Sequence, residues 1–253
     1  MKILTILKQV PDAESRVRVQ HGSLDLTGAT YVLDGMDEYG VEAALRVRES
    51  GVDAEIVAVG YGPAATDQAV RTALAMGADR AVLLEGDAFH DPLTVALALA
   101  DVVREEAADL VFVGGKQADW DSAALGPALA EALGWAHVDW TTAFDLDGDA
   151  FEAVHDVDDG SETLRGRLPV VVTTQQGLNE PRYPTLPNIM KARRKTLDTR
   201  AADVGQDRMV VTGHAGTERE RRRVMLDGDA RSAAGELVRR LRDEAKVLRE
   251  EGR

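Results

Sequence analysis

Over its first half the chain alternates short apolar runs with segments of helical period. Ile3 to Leu7, Ala54 to Val59, Ala81 to Leu84 and Asp109 to Val113 each read as a buried strand. Between them, residues 37–50 space Tyr39, Val41, Ala44 and Leu45 at helical intervals. Thr66 can cap a helix that carries Val70, Leu74 and Ala75 and stops at Gly77. Residues 92–107 carry an apolar stripe, and residues 121–133 read as a helix closing at Gly134. Strands joined in sequence by helices form a parallel sheet with right-handed crossovers and helices on both faces. With 44% hydrophobic residues, 253 residues can bury one such core.

The pattern then changes. Residues 138–145, 150–157 and 162–168 look extended and are joined by Asp-Gly pairs at 147–148 and 159–160, which predicts an antiparallel addition. Pro169 to Thr174 reads as a last buried strand. Residues 177–200 hold Pro181, Pro184 and Pro187 without a clean period and read as a long loop. Residues 230–250 place Leu237, Leu241 and Leu248 on one helical stripe, with Val238 and Ala245 beside it.

Composition excludes several classes. Cysteine is absent, which removes disulfide scaffolds, thiolate metal sites and cysteine nucleophiles. No apolar run is long enough for a membrane span. The N-terminal run is too short for a signal peptide, so a cytoplasmic location is expected. The net charge is −14, and only six of the thirty basic residues are Lys. That balance suits a surface kept hydrated in high salt and disfavours nucleic-acid binding. Residues 1–190 carry 13 bases and 32 acids, and residues 191–253 carry 17 and 12. Such asymmetry points to a partner. His21, His90, His137, His155 and His214 show no metal-ligand spacing, and no nucleophile or base motif is present.

Ligands of parallel α/β sheets bind beyond the C-terminal strand ends. Three exits hold suitable residues: Asp34-Gly35-Met36-Asp37, Gly60-Tyr61-Gly62-Pro63 and Gly114-Gly115-Lys116-Gln117. The glycines fit either close approach of backbone N–H groups to a phosphate or ordinary strand-to-helix turns. Ser122 offers a hydroxyl at the start of the following helix, and Asp121 either caps that helix or faces a ribose. The P-loop pattern and a Gly-x-Gly-x-x-Gly after the first strand are both missing. Lys191-Ala192-Arg193-Arg194-Lys195 follows a loop with Tyr183, Leu186, Ile189 and Met190, which reads equally as a docking surface or as a solvated charge run beside packed chain. Arg219 to Arg223, beside Glu218 and Glu220, reads as self-compensated surface.

Several of these segments resemble the β subunit of electron transfer flavoprotein (the ETF-β/FixA family). They are Lys8-Gln9-Val10-Pro11-Asp12, Arg71 to Arg80, Gly115-Lys116-Gln117-Ala118 with Gly126-Pro127, Leu164 to Pro169, Asn179-Glu180-Pro181-Arg182-Tyr183 and Leu186-Pro187-Asn188-Ile189-Met190-Lys191. The resemblance implies an α/β fold, a parallel doubly wound Rossmann-like (HUP-type) adenine-nucleotide-binding sheet with an antiparallel addition. Residues 1–190 would form that domain, with a recognition loop at about 178–195, and residues 191–253 an arm packing on an α subunit. It implies an electron carrier and not an enzyme, with FAD held mainly by α and AMP held structurally by β.

The implied AMP site uses Ile6, Asp34, Gly35, Met36 and Asp37, then Gly60, Tyr61 and Gly62. Its phosphate end uses Gly115, Lys116, Gln117, Asp119, Asp121, Ser122 and Leu125. Tyr183, Leu186, Pro187, Ile189, Met190 and Lys191 would dock acyl-CoA dehydrogenase-type donors, with Leu186 as the anchor. Asp156 takes the position of an acidic hinge residue, with His155 beside it. Ordinary members place Asn-Gln-Thr before the last glycine, where this chain has Ala123-Ala124-Leu125-Gly126. Asp119-x-Asp121-Ser122-Ala123 looks like the Fix-type, electron-bifurcating branch, whose β subunits bind a second FAD. Trp120 stands where that branch has Gly, and AMP is the expected ligand. A stand-alone universal-stress-type nucleotide-binding protein is a third reading, disfavoured by the anchored loop and the amphipathic C-terminal segment.

Overall fold

The computed structural model describes residues 1–216 and 223–248, so of the Arg219–Arg223 cluster only Arg223 is among them. Two units are present, Met1–His214 and Ala215–Arg253. The first contains strands β1 (Lys2–Leu7), β2 (Gln9–Pro11), β3 (Arg18–Gln20), β4 (Ser23–Asp25) and β5 (Tyr31–Leu33), then helix α1 (Gly35–Glu49). There follow β6 (Glu55–Gly62), α2 (Asp67–Met76), β7 (Arg80–Glu85), α3 (Pro92–Glu105), β8 (Leu110–Gly114) and α4 (Leu125–Leu133). Strands β9 (Ala136–Asp147), β10 (Ala150–Val157), β11 (Gly160–Arg167) and β12 (Val170–Thr174) precede α5 (Leu186–Ala192) and β13 (Asp198–Ala201).

Nine strands form one sheet in the order β11-β10-β9-β12-β8-β1-β6-β7-β13. Pairing is parallel from β9 to β13 and antiparallel from β9 to β11. The α/β class and the antiparallel addition follow the sequence pattern. The chain winds outward from β1 in both directions, which puts the switch point between β1 and β8. Alternate residues of β1 feed opposite layers. Ile3 and Leu7 pack with α1 and α2, while Leu4 and Ile6 pack with α3 and α4.

Several elements depart from expectation. The compact unit continues past residue 190 to His214, because β13 pairs with β7 as an edge strand. The stretch 177–200 is not a plain loop, since it contains both α5 and β13. Helix α4 begins at Leu125 instead of 121 and has no side-chain cap, so Ser122 precedes it by a turn. Thr66 sits at the N-cap of α2, but its side chain accepts no capping hydrogen bond. A short 3-10 turn, Ala64–Thr66, comes first. The three-residue strands β2 to β5 have too little pattern to read from sequence. β3 and β4 turn through His21 and Gly22, both at positive φ (52° and 77°), as a two-residue hairpin.

The segment leading to α5 is bolted to the sheet domain. Arg182 pairs with Glu42, whose side chain is only 4% exposed, at 2.8 Å, and with Glu49 at 2.6 Å. Asn179 donates its amide to the Tyr39 carbonyl. The second unit contains α6 (Ala230–Asp243), capped by Asp229 and paired internally through Glu236, Arg239 and Arg240. It stops before Ala245 and Leu248, and Leu237 and Val238 on it are exposed. Removing Arg182 strips the buried Glu42 of its main partner. Arg182→Ala is expected to destabilise the protein by about 1–3 kcal/mol in urea denaturation, more than Arg46→Ala, whose guanidinium is the lesser partner of Glu42.

Candidate functional site

A cleft opens at the switch point, with about 590 Å3 of empty space, its mouth included. Ile6 and Leu7 line it from the end of β1, Val95 and Leu99 from α3, and Leu125 from the start of α4.

Two buried carboxylates organise the strand exits. Asp37, in the first turn of α1, accepts the backbone N–H of Lys8 at 2.7 Å and that of Gly114 at 3.0 Å. It thereby ties the ends of β1 and β8 together across the switch point. Asp34 caps α1 by accepting from Met36 N–H (2.9 Å) and also accepts from Ala118 N–H (2.7 Å). Burial pushes the Asp37 carboxyl well above the usual carboxylate range, and Asp34 nearby adds to the effect. Asp34 is raised as well, because burial outweighs its two backbone hydrogen bonds.

The residues expected at the site divide into two groups. Ile6, Asp37, Tyr61, Gln117, Ser122 and Leu125 line the cleft together. Asp34, Gly35, Met36, Gly60, Gly62, Gly115, Lys116, Asp119 and Asp121 do not, but they shape the loops around it. Gly60 and Gly62 serve packing. A Cβ on Gly60 would lie 2.5 Å from Val70 Cγ2, and one on Gly62 would lie 2.6 Å from Thr66 Oγ1. Gly114 must pass close to Asp37, and Gly115 close to Trp140 and the Thr174 carbonyl. These glycines are therefore required by neighbouring protein atoms. The two lysines near the loop are ion-paired, Lys8 with Asp119 (2.8 Å) and Lys116 with Asp121 (2.9 Å).

Two further residues that the sequence did not mark as site residues, Phe89 and His90, belong to the cleft, and they join Trp120 there. Phe89 and Trp120 line it and stack at 4.3 Å between ring centroids. His90 lies edge-on to Tyr61, with its Nδ1 2.8 Å from Asp207. Among the described residues, the Tyr61 hydroxyl and His90 Nε2 are buried without a hydrogen-bond partner. Burial raises the Tyr61 hydroxyl to about 12, so it stays protonated. Two orphaned polar atoms on residues lining the cleft are what a ligand with hydroxyl or ring-nitrogen groups would satisfy. Asp207 lies over a hundred residues from His90, and no local motif signals that pairing.

The Electron transfer flavoprotein domain model matches residues 23–204. A protein of Bradyrhizobium diazoefficiens named electron transfer flavoprotein subunit beta is 39% identical over 98% of this chain and 100% of its own length. The same-named protein of Sus scrofa is 36% identical over 100% and 98%, and that of Syntrophomonas wolfei 31% over 98% and 98%. The chain belongs to the electron transfer flavoprotein family, among its β subunits.

In this β-type chain the expected docking segment is presented on α5. Thr185 caps the helix, Pro187 lies in its first turn, and Leu186 is 72% exposed. Tyr183 and Met190 are exposed too, whereas Ile189 turns inward and packs on the core. Lys191, Arg193 and Arg194 are exposed. Lys195 donates instead to the carbonyls of Ala78 and Asp79 beyond the end of α2. Asp156 accepts from the Gln175 amide at 3.3 Å, and His155 lies between Asp139 and Glu162. Among the described residues no group of three or more His, Asp or Glu could hold a metal ion, and no helix is long and apolar enough to cross a membrane.

The raised Asp37 carboxyl gives a signed pH effect. It binds its proton more tightly in the folded chain, so its contribution to stability is greatest below its ordinary value of 3.8 and declines as pH rises towards the higher folded value. Asp37→Asn removes this titration. As pH rises above 3.8, its unfolding free energy should decline less steeply than that of the parent in urea titrations. Equal slopes would show that Asp37 does not hold its proton.

Proposed function

We propose that the chain is the β subunit of a heterodimeric electron carrier. In this reading it binds AMP in the switch-point cleft and docks acyl-CoA dehydrogenase-type flavoenzymes through α5, so that FAD in an α subunit shuttles electrons to the respiratory chain. The observation that carries the nucleotide part is the pair of orphaned polar atoms on Tyr61 and His90, residues that line a largely apolar cleft together with Asp37, Gln117 and Ser122.

These residues fit an adenine nucleotide. Ile6, Leu7 and Leu125 offer apolar surface to a ring. The Tyr61 hydroxyl donates and, with Asp207 accepting from Nδ1–H, His90 Nε2 accepts. That combination suits the edge of an adenine or the hydroxyls of a ribose. Ser122, in the loop before α4, lines the cleft and would face the phosphate. The role of such a ligand is structural, because it would fill and satisfy the switch point. The FAD of α supplies the redox chemistry when bound, and no residue of this chain needs to take an electron. The second reading, a bifurcating subunit with its own FAD, is favoured by the Asp119-x-Asp121-Ser122-Ala123 run.

Docking rests on Leu186 and its neighbours. A single exposed leucine on a rigidly anchored turn can enter an apolar pocket at small ordering cost. Small contacts of this kind suit rapid exchange between partners. Exposed Lys191, Arg193 and Arg194 would steer the encounter. The arm after His214, with exposed Leu237 and Val238 on α6, would pack on α.

Two measurements test this. Denaturing the co-purified heterodimer should release one FAD and one AMP. Two FAD would favour the bifurcating reading, and no nucleotide beyond the FAD of α would overturn the cleft assignment. Leu186→Ala should slow reduction by an acyl-CoA dehydrogenase by about tenfold, worth about 1.4 kcal/mol, with flavin content unchanged. Transfer at the parent rate would sink the anchor assignment.

A further inference from the structure

Trp120 sets this cleft apart from an open phosphate cradle. Its ring stacks on Phe89 at 4.3 Å with 30° between planes, and both residues line the cleft. The loop that carries it is pinned on both sides. Trp120 N–H donates to the Gln117 carbonyl (3.1 Å), and the Trp120 carbonyl accepts from Ser122 N–H (2.8 Å). Asp119 on one flank is held by Lys8 and Asp121 on the other by Lys116. To swing the indole away, a ligand would have to disturb the stack and the turn together.

Among the described residues, the two lysines beside the loop are already paired by the same contacts. Two ammonium groups are matched by two carboxylates, and Asp37 adds a further acid to the lining. The residues after Ser122, Ala123-Ala124-Leu125, carry no side-chain donor. A diphosphate would bring additional negative charge past an aromatic pair into a region whose described ammonium groups are already paired and whose side-chain donors are few, Ser122 and Gln117 among them. One phosphate facing the outside of the loop avoids most of that cost.

Resting on the nucleotide reading above, we propose that Trp120, braced on Phe89, is the specificity-determining residue of the cleft, admitting an adenine mononucleotide and excluding the diphosphate of ADP or of a dinucleotide. The test is equilibrium dialysis of the full heterodimer against AMP or ADP, with bound nucleotide quantified by chromatography after denaturation. ADP is the cleaner probe because FAD also belongs to α. The parent should hold AMP at least tenfold more tightly than ADP. Trp120→Gly should narrow that preference to threefold or less. Phe89→Ala should do the same while leaving the sequence of the 115–122 loop intact, which covers a folding failure of the glycine variant. Trp120→Phe keeps a ring on Phe89 and should keep the preference. A parent that binds ADP as well as AMP, or a preference that survives both Trp120→Gly and Phe89→Ala, overturns the proposal and leaves the nucleotide reading standing. Absence of binding of either nucleotide to any of these proteins overturns both.

Discussion

The first turn of α1 holds the sheet together where its two halves part. Strands β1 and β8 are neighbours at the switch point, and their ends would otherwise present backbone N–H groups with no partner. Asp37 accepts one from each, while Asp34 caps the helix and takes a third from the loop after β8. Hydrogen bonds to charged acceptors are worth about 1.5–3 kcal/mol each, and here they offset the cost of burying two acids side by side. The raised pKa of both shows that the offset is incomplete. The cleft sits directly on this clamp. Its position follows from the need to join strand exits that topology drives apart.

The same clamp explains how the glycines were to be read. From sequence, Gly60, Gly62 and Gly114-Gly115 fit a phosphate cradle or simple turns equally well. Gly60 and Gly62 admit α2 against β6, and Gly114 admits the Asp37 carboxylate. Each is required by something protein-borne, so none of them argues for a ligand. The better argument is the pair of unpartnered polar atoms on Tyr61 and His90, which only a three-dimensional arrangement exposes.

Long, periodic elements were legible because their signal is local. Strands β1, β6, β7, β8 and β12 and helices α1 and α3 fall close to where apolar spacing puts them. Helix α5 was not legible, because Pro187 in its first turn and Pro184 before it mimic a loop, and a seven-residue helix has too few turns to show a period. Edge strand β13 was missed since Asp-Thr-Arg-Ala has no apolar run; its pairing with β7 supplies what its side chains do not. Phe89 and His90 escaped for a different reason. They sit on the loop between β7 and α3, and only the sheet brings that loop against Tyr61 and Trp120.

Charge acquires a more restricted meaning once its partners are visible. The basic run after Leu186 reads in sequence as a docking surface or a solvated charge run, yet Lys195 is committed to the carbonyls beyond α2, and Arg182 before the run is committed to Glu42 and Glu49. Lys191, Arg193 and Arg194 are left to meet a partner. At 1 M salt their reach would shrink to about 3 Å. The committed bases keep their roles there, because short, partly buried contacts are screened far less than long-range ones. Salt would then separate the two jobs of the positive charge. Steering weakens while the bolts that hold α5 rigid persist, and the exposed Leu186 is presented unchanged.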